Sequence, residues 1–280
     1  MTTTLRISLA AALALAACSD EQSGTITATA YGEDFIEQGI PADVFGDGWS
    51  VSFDAFLVSI GTPKAKAGEG GAEVGPDAMF VVDLARPSNG AGYELASFAA
   101  PGGFYDHYGY RIAPSAAATN VNAAAGDFDD MTNEGFSIWV RGTATKGAET
   151  RAIDWGFKLD MAYAHCEMDR SVDGNTVEMQ STIHADHLFY DDATSPEPAV
   201  AFQLVADADG ADGSTPDGTI SLAELAATDI RGEARYQVGS QRDPQTGADI
   251  VNLAQYITLQ ATTVGHINGE GHCADVIVRR

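Results

Sequence analysis

One long run of alternating side chains, residues 48–60, constrains the fold more than any other feature of the chain. Trp49 and Val51 fall on one side of this run, and Ser52 and Asp54 fall on the other. A repeat of two residues is that of a β-strand with one buried face. The run therefore predicts a long, half-buried strand and indicates a mainly β protein.

Shorter runs of the same kind recur along the chain. They cover residues 25–30, 79–84, 93–98, 104–112, 136–144, 151–166 and 274–278. An Asp-Gly-Asn turn at residues 173–175 predicts a hairpin whose return strand covers residues 176–188. Residues 61–77 and 116–130 lack a clear period and predict loops. The economical fold is a single β-sandwich-like domain over residues 25–280.

A short helical insertion interrupts the strand pattern at about residues 196–230. Residues 196–206 carry proline in what would be the first turn of a short helix. Ser221 and Glu224 match a capping box that begins a second helix. After the insertion, Asp249 is suited to cap a third helix over residues 250–260.

The start of the chain predicts a targeting signal over residues 1–17. Arg6 precedes an apolar run, residues 7–16, that is too short to span a bilayer. The run ends in Leu-Ala-Ala-Cys18, which resembles the bacterial lipobox. The resemblance implies that Cys18 is lipidated and that residues 18–24 form a tether. An ordinary secretory signal with an incidental cysteine is the alternative.

The resemblance also carries an expectation about location. In bacterial lipoproteins, aspartate directly after the lipidated cysteine favours retention at the inner membrane. Ser19 occupies that position here, which favours the outer membrane. We therefore expect a protein of the bacterial cell envelope that meets the membrane through its lipid anchor.

Charge restricts the partners of the chain. Its formal net charge is −25 at pH 7. Such a surface repels nucleic acid and anionic lipid, and it suits cations or a basic protein partner. An outer-membrane transporter or another envelope protein is the kind of partner we expect. Solubility alone is the alternative explanation of the charge.

Two cysteines remain when Cys18 is set aside, namely Cys166 and Cys273. In an oxidising compartment a remaining pair predicts a disulfide, which here would close a long loop. A thiolate metal site that includes the neighbouring histidines is the alternative.

An acidic loop in the helical insertion resembles the second half of an EF-hand. Asp217 and a turn glycine are followed by Glu224 at the spacing of that motif. The first half departs from it, because Asp207 and Asp209 are separated from Asp217 by an insertion. The resemblance implies a Ca²⁺ site formed by Asp207, Asp209, Asp217, Thr219 and Glu224. An acidic turn followed by a capping box is the alternative.

Histidines are few and clustered. The chain has six, of which His184 and His187 lie close together and His165 and His272 each precede a cysteine. His266 lies in the same glycine-rich stretch as His272. Imidazole suits Cu or Zn, so these five residues predict a transition-metal site. On a strand His184 and His187 would face opposite ways, whereas on a helical turn they would share a face. Polar histidines that only stabilise a loop-rich end are the alternative.

A further resemblance comes from the strands and turns of residues 82–112. Their Val-Asp-Leu, Leu-Ala-Ser-Phe, Pro-Gly-Gly-Phe-Tyr-Asp and Tyr-Arg-Ile segments resemble secreted bacterial β-sandwich domains. Periplasmic copper-binding proteins of the methanobactin-associated type are among them. The resemblance implies a sandwich and carries over no ligand positions. His107 lies in this region among aromatic residues and is interpreted as a packed or surface residue.

Three classes of function follow from these patterns. The first is a lipid-anchored envelope protein that binds Cu or Zn for uptake or storage, with Ca²⁺ in a structural role. The second is a metal-dependent hydrolase that uses the same histidines. It ranks lower because the sequence has no nucleophile elbow, zincin motif or Ser/His/Asp spacing. The third is a surface interaction module without a metal.

Overall fold

The computed structural model describes residues 22–68 and 70–279. The protein is 44% strand and 14% helix, which confirms the prediction of a mainly β fold. In the described part of the chain, the strands are β1 (Gly24–Tyr31), β2 (Ser50–Lys66), β3 (Glu73–Val74), β4 (Met79–Asp83), β5 (Tyr93–Ala100), β6 (Gly103–Ile112), β7 (Thr119–Asn120), β8 (Ile138–Lys146), β9 (Glu149–Phe157), β10 (Asp160–Val172), β11 (Thr176–Ile183), β12 (Thr219–Ser221), β13 (Gly265–Ile267) and β14 (Cys273–Arg279). The α-helices are α1 (Glu33–Glu37), α2 (Ala125–Glu134), α3 (Gln203–Ala206), α4 (Leu222–Ala227) and α5 (Leu253–Gln260), and a 3₁₀ turn spans Asp186–Phe189.

The strands form two sheets. The smaller sheet has the order β13-β11-β1-β5, in which β1 and β11 are parallel. The larger sheet has ten strands, with the main path β12-β9-β8-β2-β6-β10-β14. Strands β3 and β4 pair with β2, and β7 pairs with β4. Strand β2 is therefore the centre of the larger sheet.

One hydrophobic core lies between the two sheets. Ile26 and Met179 of the smaller sheet belong to the same buried cluster as Tyr108, Trp155 and Met161 of the larger sheet. Each of these side chains is at most 2% exposed. Removal of so much apolar surface from water is the main favourable contribution to folding. The arrangement is sandwich-like, as the strand pattern predicts.

Strand β2 continues further than the alternating run indicates. It extends through Gly61 to Lys66, so the predicted loop over residues 61–77 is wrong in its first part. The continuation is held by pairing with β6, where Lys64 lies opposite Gly109. A shift of register between Gly61 and Lys64 bends the strand. Gly61, Pro63 and Ala65 are buried in alternation with their neighbours, but these small residues give no hydrophobic pattern in the sequence.

The turn at residues 173–175 joins two sheets and is not a hairpin. Strand β10 lies in the larger sheet and β11 in the smaller one, where β11 pairs with β1 and β13. Val177 and Met179 are buried on β11, which packs against the larger sheet instead of extending it. The return strand also ends at Ile183, earlier than predicted. The turn chemistry is correct, but local sequence does not determine which strand becomes the partner.

Four other boundaries differ from the sequence-based prediction. The run at residues 151–166 is two strands, β9 and β10. Helix α2 lies within the predicted loop at residues 116–130, and Met131 anchors it in the core. Helix α3 covers only the end of the predicted helix at residues 196–206. Helix α5 begins after Asn252, whose side chain caps it by accepting a hydrogen bond from the Gln255 amide. The sequence analysis assigns this capping role to Asp249.

The capping box of the helical insertion is confirmed. The Ser221 hydroxyl accepts a hydrogen bond from the Glu224 amide, and the Glu224 carboxylate accepts one from the Ser221 amide. Together they satisfy two amides that the first turn of α4 leaves without partners.

No helix among the described residues has the length and apolar character that crossing a membrane requires. The predicted signal peptide, the lipobox and Cys18 lie outside the described residues.

Candidate metal centre

Two histidines converge because strand β11 ends just before them. The chain leaves β11 at Ile183 and enters the 3₁₀ turn Asp186–Phe189. His184 lies in the short link between them, and His187 lies in the turn itself. The rings of His184 and His187 lie 5.5 Å apart between centroids. Because β11 ends at Ile183, the two rings do not face opposite ways as they would on a continuous strand.

A third histidine is supplied by the neighbouring strand. His266 lies on β13, opposite Thr182 of β11. Its ring centroid is 4.1 Å from that of His184 and 5.1 Å from that of His187. One nitrogen from each of the three rings lies within 4.8 Å of the other two. We call these three residues the histidine triad.

Carboxylates adjoin the triad on the side of His184. Glu33 begins helix α1 and Glu270 follows β13, and each places an oxygen within 4.8 Å of the other and of a His184 nitrogen. Oε1 of Glu33 lies 3.5 Å from Nε2 of His184. Glu33 has a φ of +54°, an uncommon conformation for a residue other than glycine. His184 thus belongs to both groups.

Burial keeps two rings of the triad neutral. It lowers the pKa of His187 to about 4 and that of His266 to about 3, and repulsion from the neighbouring histidines adds to both shifts. Burial also raises the pKa of Glu33. Neutral imidazole retains the lone pair that a metal requires. At pH 7 the two rings are therefore available as ligands without losing a proton.

Hydrogen bonds determine the tautomer of His187. Its Nδ1 lies 2.9 Å from the hydroxyl oxygen of Thr263. That hydroxyl donates its own hydrogen to the Gln260 carbonyl at 2.8 Å, so it accepts from His187. The Nδ1 of His187 therefore carries the hydrogen, and Nε2 has the free lone pair.

The same reasoning applies to His184 with the nitrogens exchanged. Its Nε2 faces two acceptors, the Gly269 carbonyl at 3.4 Å and the Glu33 carboxylate at 3.5 Å. Nε2 therefore carries the hydrogen, and Nδ1 has the free lone pair. A carboxylate that orients a ligand histidine in this way is a common feature of metal sites.

His266 completes the set with an unsatisfied nitrogen. Its Nδ1 is buried and has no hydrogen-bond partner among the described residues. An unpaired buried polar atom costs free energy and requires an explanation, of which a missing ion is one. Neutral imidazole nitrogens from three segments suit Zn or Cu. The chemistry of the residues present therefore fits such an ion.

The triad is accessible from one side. A cavity of about 560 Å³ is lined by His187, His266 and His272. The exposed ring of His272 lies 5.1 Å from that of His266, at the mouth of this cavity. An ion or small molecule can therefore reach the triad from solvent.

Comparison with known proteins does not add to this chemistry. No protein-family model matches the chain, and neither the curated proteins nor the solved structures contain a match.

The predicted ligand set is only partly brought together. His184, His187 and His266 form the triad, and His272 lies beside it. His165 is not in the triad; its ring lies against His107 and Asp275 instead.

Sequence reasoning did not find Glu33 or Glu270. Glu270 lies between His266 and His272 in the sequence, and this position between two predicted metal ligands marks it as a candidate ligand. Glu33 lies in an acidic stretch without any distinguishing pattern, and only the contact with His184 reveals it.

The predicted disulfide is present. Cys166 and Cys273 are bonded and lie opposite each other on β10 and β14. The cysteines are therefore not thiolate ligands in this structure. The bond fixes the segment that carries His272 to the larger sheet.

The acidic loop is closed by hydrogen bonds within the protein. Both carboxylate oxygens of Glu224 accept backbone hydrogen bonds, from Gly210 at 2.8 Å and Ser221 at 2.7 Å. Asp209 accepts from the amides of Asp217 and Gly218. These bonds use the oxygens that a Ca²⁺ ion would also require.

The other three predicted Ca²⁺ ligands, Asp207, Asp217 and Thr219, have local partners. Asp207 accepts from the Gln203 side chain, and the Thr219 amide donates to Asp217. In the part of the chain that the structure describes, the acidic loop contributes to neither of the ligand groups found.

Proposed function

We propose that this protein binds a d-block metal ion, Cu or Zn, at the histidine triad. The observation that carries the proposal is the buried, unpaired Nδ1 of His266. It lies beside two rings whose hydrogen bonds leave a nitrogen free, at His184 and His187. A bound ion would satisfy the His266 nitrogen and use the two free lone pairs.

The spacing of the triad is compatible with one shared ion. Zn–N bonds of about 2.1 Å place the ligands of a tetrahedral ion about 3.4 Å apart. The nitrogens of the triad lie within 4.8 Å of one another, so small movements of the rings are sufficient. Glu33 would orient His184, while Glu270 and His272 lie near enough to complete the coordination.

Uptake or storage in the cell envelope is the role that we propose for this binding. A set of neutral ligands at the base of an open cavity can take up an ion without prior loss of protons. The acidic net charge of −25 attracts cations toward the protein.

A metal-dependent hydrolase is the second candidate. Three histidines with an open fourth position are typical of catalytic zinc, and two rings of the triad, His187 and His266, line a cavity. Glu270 would then be the nearest carboxylate able to accept a proton. Zinc-dependent cleavage of simple esters or phosphate esters, lost in Glu270→Gln, would favour this candidate over storage.

Metal binding is tested with protein freed of metal by a chelator. We expect Cu²⁺ and Zn²⁺, but not Mg²⁺, to bind at the triad in calorimetry and in metal analysis after dialysis. The double variant His187→Asn/His266→Asn should lose the metal ion bound at the triad. Its far-ultraviolet circular dichroism spectrum should remain the same as that of the parent. If the double variant takes up the metals as the parent does, the triad is not the site.

The envelope location rests on Cys18, and its test is separate. We propose that Cys18 carries the lipid anchor. Cys18→Ala should release the protein from the membrane fraction or leave it uncleaved, without an acyl label. Unchanged fractionation together with unchanged labelling would contradict the anchor and would leave the metal proposal intact.

A further inference from the structure

Two more histidines meet outside the triad. His107 lies on β6 and His165 on the neighbouring β10, and their ring centroids are 5.5 Å apart. That separation equals the one between His184 and His187 in the triad. The two rings are perpendicular within about 10°, at an interplanar angle of 80°.

An irregularity of β10 brings the rings together. The register between β10 and β6 shifts between Tyr163 and Cys166, and His165 adopts a φ of +54°. A regular strand would direct alternate side chains to opposite faces. The bulge thus reorients His165 toward His107. Left-handed backbone in a non-glycine residue is costly and is enriched at functional sites.

Each ring is oriented by its own aspartate. Nδ1 of His107 lies 2.7 Å from Asp106, and Nδ1 of His165 lies 2.7 Å from Asp275. Asp106 also accepts a hydrogen bond from the Gly68 amide at 2.6 Å, which holds its carboxylate beside His107. In both pairs the carboxylate accepts the Nδ1 hydrogen, which leaves the Nε2 lone pair free.

The charged side chains around His107 and His165 are compatible with the binding of a cation. Two lysines, Lys64 and Lys66, line the same small cavity as the two rings. Lys64 is paired with Asp77, and Glu73 lies opposite Lys66 on β3. Because Asp77 and Glu73 offset the charges of the two lysines, the carboxylates of Asp106 and Asp275 leave an excess of negative charge around the rings.

We propose that His107 and His165 form a second binding site for a d-block ion of the Cu²⁺ or Zn²⁺ class. Each ring contributes Nε2, and water completes the coordination. The site is at the surface, since the side chain of His165 is 56% exposed. With two imidazole ligands instead of three, it binds about tenfold or more weakly than the triad. The site is independent of the triad and of the role proposed for it.

Titration of the chelator-treated, full-length protein with Cu²⁺ and Zn²⁺ tests this proposal. The parent should bind a second, weaker equivalent, and His107→Asn/His165→Asn should lose only that equivalent. The variant His187→Asn/His266→Asn should retain it, so the two sites succeed or fail separately. In the His187→Asn/His266→Asn protein, electron paramagnetic resonance of bound Cu²⁺ should show nitrogen coupling that disappears when His107→Asn and His165→Asn are added.

A variant that keeps both histidines tests the site without the risk that their replacement disturbs the fold. Asp275→Asn replaces the charged acceptor of His165 with a neutral amide and should weaken the second equivalent about tenfold. Asp54→Asn, an exposed change of the same kind on β2, should have no effect. Metal uptake by the His107→Asn/His165→Asn variant equal to that of the parent, in both number of equivalents and affinity, would overturn the proposal.

Discussion

The imidazole of His184 lies 4.1 Å from that of His266, centroid to centroid, at an angle of 32°. The first ring follows the end of β11 and the second lies on β13, its neighbour in the smaller sheet. Two rings at this distance would repel each other strongly if both were protonated. Burial and this proximity lower the pKa of His266 to about 3, so the His266 ring is neutral at pH 7. A metal ion placed between them would bind the lone pairs of both rings.

Thr263 should control metal affinity through the tautomer of His187. Thr263→Val removes the oxygen that accepts from Nδ1. We expect the metal affinity of the triad to fall about tenfold, within the range known for partners of ligand histidines. Thr262→Val is a matched control, because that hydroxyl also donates to a carbonyl at the end of α5 but does not contact His187. Equal loss of affinity in both variants would contradict the positioning role.

Glu33 should act as the orienting partner of His184. Glu33→Gln keeps the size of the side chain and removes its charge, so we expect a 10- to 100-fold loss of Zn²⁺ affinity, about 1.4 to 2.7 kcal/mol. Glu94→Gln makes the same charge change at an exposed position of β5 and should leave the affinity within twofold of the parent, about 0.4 kcal/mol. Calorimetric titration measures both. An affinity of Glu33→Gln equal to that of Glu94→Gln would show that only net charge matters.

The stability of the metal-free protein should depend on pH through the triad. In the unfolded chain His187 and His266 take up protons near pH 6.5, whereas in the folded protein they do so only near pH 4 and 3. The unfolded state therefore binds more protons in this window, and the free energy of unfolding falls as the pH is lowered from about 6.5.

Urea unfolding at pH 7.5, 6.5, 5.5 and 5.0 measures this dependence. The variant His187→Asn/His266→Asn should lose the part of the slope between pH 6.5 and 5.0, because its carboxylates are the same as in the parent. Identical slopes in the two proteins would show that these histidines do not resist protonation.

The disulfide should stabilise the fold as a whole. Its cysteines are 107 residues apart, and in the chain-entropy model a loop of this length corresponds to about 4–5 kcal/mol. We expect Cys166→Ala/Cys273→Ala to lower the free energy of unfolding by up to this amount, measured in urea. In the parent, both cysteines should resist alkylation until the protein is reduced. Ready alkylation of the unreduced protein would contradict the bond.

Calcium binding at the acidic loop stays a prediction, and its test must account for the capping box. A saturating ion at a hundredfold excess over Kd would add about 2.7 kcal/mol of stability. Glu224→Gln should remove most of the rise in melting temperature caused by Ca²⁺, while it also lowers the melting temperature without Ca²⁺ because the cap is weakened. Asp217→Asn, at an exposed position, should affect the Ca²⁺-dependent part alone. A parent that melts at the same temperature with and without millimolar Ca²⁺ would count against the site.

The sequence alone determined the features that depend on near neighbours. Alternation in residues 48–60 predicts most of β2, because a strand buries every second side chain wherever it lies in a sheet. The spacing of Ser221 and Glu224 predicts the start of α4, because a capping box is completed within one turn. The bond between Cys166 and Cys273 follows from a count of cysteines.

Tertiary structure decided which segments meet. The turn at residues 173–175 has the same chemistry in a hairpin as in a connection between sheets, and only the burial of Val177 and Met179 against the larger sheet distinguishes them. Likewise, His165 precedes a cysteine as His272 does, yet the bulge of β10 directs it to His107. Glu33 meets His184 from a remote helix. Local sequence restricts backbone conformation, whereas the set of metal ligands depends on strand register and packing between segments far apart in the chain.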